Sequence, residues 1–171
     1  DLKQAITAEP EILMRLEVRL QALRKAKDWR ATVLACLLIQ AYAGVRYCHL
    51  QRSEPLVHLG HGGLFKCWMG KRAGAFVWYA PAATVVGGGV MDYVWAQHQR
   101  FAGREPGKRQ FLSCHASTGQ AVSLAAANAV LREITQAWVG EQQQLSSYSL
   151  RRVAPTLADA LGAPWEHRMA L

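Results

Sequence analysis

The stretch from residue 29 to residue 43 is apolar on nearly every side of a helix, and this feature constrains the fold most strongly. A helix that is apolar all round must be covered by other elements, so it is expected at the centre of a core. Asp28 stands where it can cap this helix, and Gly44 stands where it can end it. The sequence therefore predicts one central, buried helix.

Apolar periodicity predicts the elements around that helix. Helical spacing predicts four more helices, over residues 11–27, 89–101, 121–138 and 147–161. The last of them can be capped by Ser147 and ended by Gly162. Three short apolar runs separated by glycine turns, typical of an antiparallel meander, cover residues 56–59, 64–69 and 76–79. The predicted fold class is mainly α with a small three-stranded antiparallel sheet (α+β).

The length and composition fit one packed domain. The chain has 171 residues, of which 51% are hydrophobic and 19% charged, so it has enough apolar material for a core. It begins with Asp1 and stops at Leu171 inside an amphipathic stretch, so we expect a piece of a longer protein. Residues 1–10 are predicted to be a linker or the end of a preceding domain, and residues 11–171 a domain incomplete at its C-terminus. No apolar run reaches the roughly 18 to 20 residues of a membrane span, so no membrane partner is expected.

Positive charge is concentrated in the middle third of the chain. Lysine and arginine number 20 against 12 acidic residues, a net charge of +8, and arginine is the commoner cation. Residues 46–109 hold nine basic and three acidic groups, which accounts for +6 of that excess. Arginine pairs well with phosphate, so a polyanionic partner, most often nucleic acid, is indicated. A solubilising surface explains the same charge equally well.

The cysteines and histidines give no metal-binding pattern. The four cysteines contain no CxxC pair and are expected to be free, mostly buried thiols, which favours a reducing compartment; they are Cys36, Cys48, Cys67 and Cys114. A zinc site can be imagined from neighbouring residues whose spacing matches no familiar finger, namely Cys48, His49, His58, His61 and Cys67. No metal and no cofactor are therefore expected.

Two other chemical motifs fail on inspection. The segment from Gly103 to Arg109 is one residue shorter than a phosphate loop and has no Ser or Thr after Lys108, so a basic surface loop is the better interpretation. Ser113, His115 and Asp159 lack the G-x-S-x-G context of an acyl-transfer nucleophile.

Three cations occur at places where a fold can hold them rigidly. Arg46 follows the central helix, Lys71 lies in the turn between the second and third predicted strands, and Arg151 lies in the first turn of a later helix. Helix N-termini and fixed guanidinium groups both suit a phosphate.

In this order, the three cations and their flanking residues resemble the catalytic domain of the tyrosine recombinases, the phage-integrase-like enzymes that break and rejoin DNA. The first box is Ala43-Gly44-Val45-Arg46, the lysine hairpin is Met69-Gly70-Lys71-Arg72, and the second box is Tyr148-Ser149-Leu150-Arg151-Arg152. The resemblance covers most of residues 12–171, and the second box is its most specific part. It implies a tyrosine-recombinase-like fold for the α+β domain.

The resemblance also implies a phosphoryl-transfer mechanism. A tyrosine attacks a DNA phosphate and forms a 3′-phosphotyrosyl bond while a 5′-hydroxyl leaves. Arg46 and Arg151 neutralise the non-bridging oxygens, Lys71 protonates the leaving oxygen, and Tyr148 takes the place of the usual histidine. Contacts to the DNA backbone are expected from Lys66, Arg72, Lys108, Arg109 and Arg152.

This sequence departs from the family pattern at several points. His49 stands where the family has an acidic residue, and Tyr148 stands where it has histidine. The third-box His or Trp and the nucleophilic tyrosine are expected beyond Leu171, because no tyrosine follows Tyr148.

The expected partner is double-stranded DNA, with self-association on DNA in the full-length protein and an intracellular, DNA-associated location. Two alternatives stay open. The first is a degenerate, transposon-derived DNA-binding domain that does not cleave. The second is a helical interaction domain unrelated to recombinases.

Overall fold

The computed structural model describes residues 10–70, 72, 74–139, 145–151 and 153. Within these ranges the chain forms helices and one small three-stranded antiparallel sheet, which confirms the predicted fold class. The elements, in chain order, are α1 (Pro10–Lys25), α2 (Ala31–Ala43), α3 (Tyr47–Gln51), β1 (Ser53–His58), β2 (Gly62–Cys67), β3 (Phe76–Pro81), α4 (Val90–Phe101), α5 (Leu124–Val139) and α6 (Ser147–Arg151). The predicted division at residue 10 stays a prediction, because residues 1–9 lie outside the described ranges.

Helix α2 is the central element, as its all-round apolar character predicted. Every residue from Ala31 to Ala41 is buried. Gly44 ends the helix in a left-handed conformation, with φ 71°, and its N–H donates to the carbonyl of Gln40 at 2.9 Å. A left-handed residue closes a helix most easily when it is glycine, so this end is encoded locally.

The start of α2 differs from the prediction. Arg30 occupies the cap position, and no side chain caps the helix. The Asp28 carboxylate instead accepts the backbone N–H of Arg30 at 2.9 Å and its guanidinium at 2.9 Å. Asp28 was therefore wrongly predicted as the cap, because its carboxylate is engaged by the turn that precedes the helix.

The sheet is an antiparallel meander in the order β1-β2-β3, as predicted. Strand β1 begins at Ser53, three residues earlier than predicted, since the residues from Ser53 to Pro55 do not belong to the apolar run. Its pairing with β2 shifts between Pro55 and Val57, which is where a bulge accommodates the extra residue. Phe65 of β2 is fully buried and stacks on Trp78 with ring centroids 4.7 Å apart.

The segment between β3 and α4 is fastened to the helical layer. The buried Glu17 of α1 accepts hydrogen bonds from the Thr84 hydroxyl at 2.7 Å and from the Gly88 N–H at 2.8 Å. The Tyr42 hydroxyl of α2 accepts the N–H of Val85 at 3.0 Å. These bonds hold the edge strand β3 beside the C-terminal end of α2.

The short helix α3 was not predicted from the sequence. The Gln51 side chain donates to the carbonyls of Ser113 and Val122, at 3.0 and 2.6 Å, and accepts the Ser113 N–H at 2.6 Å. The Tyr47 hydroxyl donates to Ser113 Oγ at 2.9 Å, and burial raises the pKa of Tyr47, so that it stays protonated. Five residues form a stable turn here because tertiary hydrogen bonds fix both its ends.

The C-terminal helix also begins differently from the prediction. Ser146 Oγ accepts the N–H of Ser149 at 3.4 Å, which is the capping contact assigned to Ser147 by sequence. Ser147 Oγ instead donates to Gln40 Oε1 of α2 at 2.8 Å. The predicted remainder of this helix, apart from Val153, lies outside the described residues. Helix α5 likewise starts later than predicted, because the Ser123 hydroxyl accepts the N–H of Ala126 at 3.1 Å.

The cysteines are free, and three of them are buried, as expected, whereas Cys48 is exposed. None of the described helices is long and apolar enough to cross a membrane.

Replacing Gln51 with leucine should lower the free energy of unfolding by about 2 kcal/mol, because the buried N–H of Ser113 loses its acceptor. Denaturant unfolding followed by circular dichroism measures this. The exposed Gln99, replaced in the same way, is the control. A loss in Gln51→Leu no larger than in Gln99→Leu would contradict the anchoring role of α3.

One cysteine should react with a thiol reagent at pH 8 in the folded protein, and four after denaturation. Cys36, Cys67 and Cys114 are buried, and burial raises the pKa of Cys114 to about 11, which leaves little thiolate at pH 8. Rapid labelling of more than one thiol in the native state would contradict the burial of these three cysteines.

Candidate active site

Arg46 is positioned by the end of the central helix. Gly44 turns the chain out of α2, and two residues later Arg46 occupies the cap position of α3 with an extended backbone, φ −70° and ψ 146°. Its side chain is exposed. The arginine is thus held between two helix ends and projects into solvent.

Arg151 is brought to the same place by α6. Its Nε donates to the carbonyl of Gly44 at 3.3 Å, although the two residues are 107 positions apart in the chain. The C-terminal end of a helix carries partial negative charge, so this carbonyl is a favourable partner for a cation. The contact fixes the half-buried guanidinium group of Arg151 at the end of α2.

Arg46 and Arg151 line two adjoining clefts. The larger, about 630 Å³, lies between the C-terminal end of α2, helix α3 and strand β3. The smaller, about 360 Å³, also includes Tyr148, whose side chain is 54% exposed. The fold therefore brings together three of the four predicted catalytic residues.

The electrostatics of this pair are unfavourable in the absence of an anion. Burial lowers the pKa of Arg151, and the nearby charge of Arg46 lowers it further. Arginine nevertheless remains charged at neutral pH. Among the described residues, no carboxylate forms an ion pair with either group. Two positive charges are thus held close together, and no carboxylate of the described residues balances them.

Aromatic residues that the sequence did not single out form the far wall of the larger cleft. The His49 ring meets the Phe76 ring edge-on, with centroids 5.2 Å apart. Ser53 Oγ donates to the His49 carbonyl at 2.6 Å and accepts the indole N–H of Trp78 at 2.8 Å. Phe76 and Trp78 both lie on β3. In the sequence they formed part of an apolar strand pattern, which did not indicate that they would line a cleft.

None of the remaining predicted residues that the structure describes lines these two clefts. Lys71 and Arg152 lie outside the described residues. Lys66 is exposed on the outer face of the sheet, opposite Glu54 and Val77, and Arg72 is exposed. Two further candidates, Lys108 and Arg109, line a separate cleft. Within the described part of the chain, no group of three or more His, Cys, Asp or Glu side chains is placed to hold a metal ion.

No protein-family model matches this sequence, and no curated protein matches it. In structure, the chain is similar to the XerH site-specific recombinase, which was crystallised bound to its difH substrate in a pre-cleavage complex. The TM-score is 0.59 at 16% sequence identity, and the match covers 100% of this chain and 49% of XerH. The chain therefore spans about half the length of that recombinase. The described residues have a tyrosine-recombinase-like fold.

Replacing Arg46 with methionine should leave the free energy of unfolding within about 0.5 kcal/mol of the wild-type value, or raise it at low salt. The substitution removes an exposed charge that repels Arg151 and has no carboxylate partner among the described residues. Denaturant titrations at low and high salt measure the effect. A destabilisation above about 1.5 kcal/mol would show that Arg46 serves the fold rather than a ligand.

Proposed function

We propose that this chain is the phosphate-binding part of a site-specific DNA recombinase that breaks and rejoins strands through a phosphotyrosyl intermediate. The observation that carries the proposal is the convergence of Arg46 and Arg151 on shared clefts with no carboxylate partner among the described residues. A phosphodiester supplies the missing negative charge, and guanidinium groups match its oxygens. The recombinase-like fold supports the same conclusion.

The proposed reaction exchanges one phosphoester bond for another. A tyrosine oxygen attacks the phosphorus, the bond to the 5′ oxygen breaks, and a 3′-phosphotyrosyl ester remains. Arg46 and Arg151 stabilise the charge on the non-bridging oxygens, which is the main demand of phosphoryl transfer. The new ester stores the energy of the broken bond, so rejoining needs no external energy source.

The other residues have defined roles in this proposal. Lys71 protonates the leaving 5′ oxygen, and the Tyr148 hydroxyl donates a hydrogen bond to a non-bridging oxygen. The attacking tyrosine belongs to a segment outside residues 1–171, since no tyrosine follows Tyr148 in the sequence. Duplex DNA is the proposed substrate, and assembly of several copies on DNA is proposed for the longer protein.

The chain should bind duplex DNA, and Arg46→Met and Arg151→Met should each weaken that binding. Each lost phosphate contact should reduce the slope of log Kd against log salt by about 1. Fluorescence anisotropy over a series of salt concentrations measures both quantities. Arg132→Met, which removes an exposed charge on α5 outside both clefts, is the control. A double Arg46/Arg151 variant that binds like the control would contradict the proposal.

Cleavage is tested with a nicked duplex that traps covalent intermediates. Residues 1–171 alone should give no adduct. In a longer chain that includes the nucleophile, Arg151→Ala should abolish the adduct while most binding remains. An adduct formed by residues 1–171 and lost in Tyr148→Phe would place the nucleophile in α6 and overturn the proposed division of roles.

A further inference from the structure

We refer to the two adjoining clefts lined by Arg46 and Arg151 together as the arginine cleft. A second cleft, of about 470 Å³, lies between the C-terminal end of α4 and the loops that follow it. Its wall includes both Phe101 and Phe111 together with residues of the basic loop. The sequence had indicated a basic surface loop here, and the family resemblance had implied DNA-backbone contacts from Lys108 and Arg109. In the structure this loop forms one side of a concave site that is lined by aromatic rings.

Two arginines of this cleft are fixed over aromatic rings. The Arg104 guanidinium lies 4.7 Å from the centroid of Phe101, and that of Arg109 lies 4.8 Å from the centroid of Trp68. Neither forms an ion pair with a carboxylate of the described residues, whereas Lys108 is paired with Glu105 at 2.5 Å. Cation–π contact orients a guanidinium group without neutralising it. Arg104 and Arg109 therefore present unbalanced positive charge, and Lys108 does not.

The shape of the cleft is held by contacts in its wall. Gly119 has φ 77°, and a Cβ added there would come within 2.6 Å of the Phe101 ring, so this close approach requires glycine. The Gln110 side-chain amide donates to the carbonyl of Gly119 at 2.9 Å and to that of Phe111 at 3.2 Å. The wall is therefore preorganised around the two arginines.

The second cleft and the arginine cleft are connected through the turn end of the β2–β3 hairpin. Cys67, the last residue of β2, pairs with Phe76, which lines the larger cleft beside Arg46 and Arg151. The next residue, Trp68, lies under Arg109 and meets the Phe111 ring edge-on, with centroids 5.9 Å apart. Two consecutive residues, Cys67 and Trp68, therefore contact residues that line the two clefts.

We propose that the second cleft binds a backbone phosphodiester of the same duplex DNA, held by Arg104 and Arg109 apart from the scissile phosphate. This inference rests on the proposed function, which makes duplex DNA the partner. The two guanidinium groups are oriented by aromatic rings and have no carboxylate partner among the described residues. A second backbone phosphate of the bound duplex supplies the negative charge that they lack. Such a contact sets the position of the duplex and carries no sequence information.

The test compares two double variants of the same net charge in duplex-binding titrations over a range of salt. Arg104→Gln/Arg109→Gln removes both cleft charges, and Arg19→Gln/Lys25→Gln removes two exposed charges of α1 that line neither cleft. The cleft variant should lose about 2 from the slope of log Kd against log salt and bind about tenfold or more weakly near 0.1 M salt. The α1 variant should keep most of the wild-type slope. Equal slopes in the two variants would overturn the proposal.

Phosphate ethylation interference separates this inference from the proposed function. The cleft variant should lose interference at phosphates distinct from those lost in Arg46→Met. If both variants lost interference at the same phosphates, the two clefts would form one binding site. That result would overturn this inference but leave the proposed function standing. Failure of the wild-type chain to bind duplex DNA would overturn both proposals.

A small phosphoryl ligand is the competing source of the same chemistry. Inorganic pyrophosphate, added at constant ionic strength, should compete with the duplex, and this competition should weaken in Arg104→Gln/Arg109→Gln. Saturable pyrophosphate binding that depends on both arginines but leaves the duplex affinity unchanged would assign the cleft to a small anion and contradict a DNA contact.

Discussion

The hydrogen bond from Arg151 to the carbonyl of Gly44, at 3.3 Å, joins the last described helix to the end of the central one. Everything at the site depends on that junction. The apolar residues of α2 bury the helix along nearly its whole length, so its C-terminal end has one fixed position in the molecule. Gly44 turns the chain at that end, and Arg46 follows as the cap of α3. Two guanidinium groups from distant parts of the chain therefore meet at a rigid point.

The placement of charge differs between the structural and the exposed arginines. Arg30 is engaged by Asp28 and Glu133, at 2.9 and 2.7 Å, and these ion pairs serve the fold. By contrast, the arginines of the two clefts have no carboxylate partner among the described residues. They are Arg46 and Arg151 in one cleft and Arg104 and Arg109 in the other. Positive charge without a nearby carboxylate slightly lowers the stability of the free protein and raises its affinity for an anionic ligand. The contrast distinguishes Arg30, whose charge is paired within the fold, from these four arginines, whose charge is unpaired among the described residues.

The parts of the fold that are determined by local sequence were predictable. The buried helix, its glycine stop and the meander follow from periodicity and turn residues. Helix α3 and the start of β1 were missed because tertiary contacts decide them. Gln51 is fixed by residues 113 and 122, and the start of β1 is set by its pairing with residues 65–67 of β2. Ser146 was overlooked as a cap because its neighbour Ser147 is equally suited by sequence, and only the position of Gln40 distinguishes them.

Only those residues of the candidate site that belong to a family motif could be predicted from the sequence. Arg46 and Arg151 were identified through family resemblance, and their convergence needed the structure. Arg104 carried no signal beyond a basic loop, because its significance lies in the ring of Phe101 beneath it and in the absence of a carboxylate partner among the described residues. The roles of Lys71 and Arg152 stay predictions, since both lie outside the described residues.

A crystal structure of this chain bound to duplex DNA tests the central claim most directly. The account predicts one backbone phosphate between the guanidinium groups of Arg46 and Arg151, with nitrogen-to-oxygen distances of about 2.7–2.9 Å. Arginine side chains that contact separate phosphates, or that point away from the DNA, would contradict it.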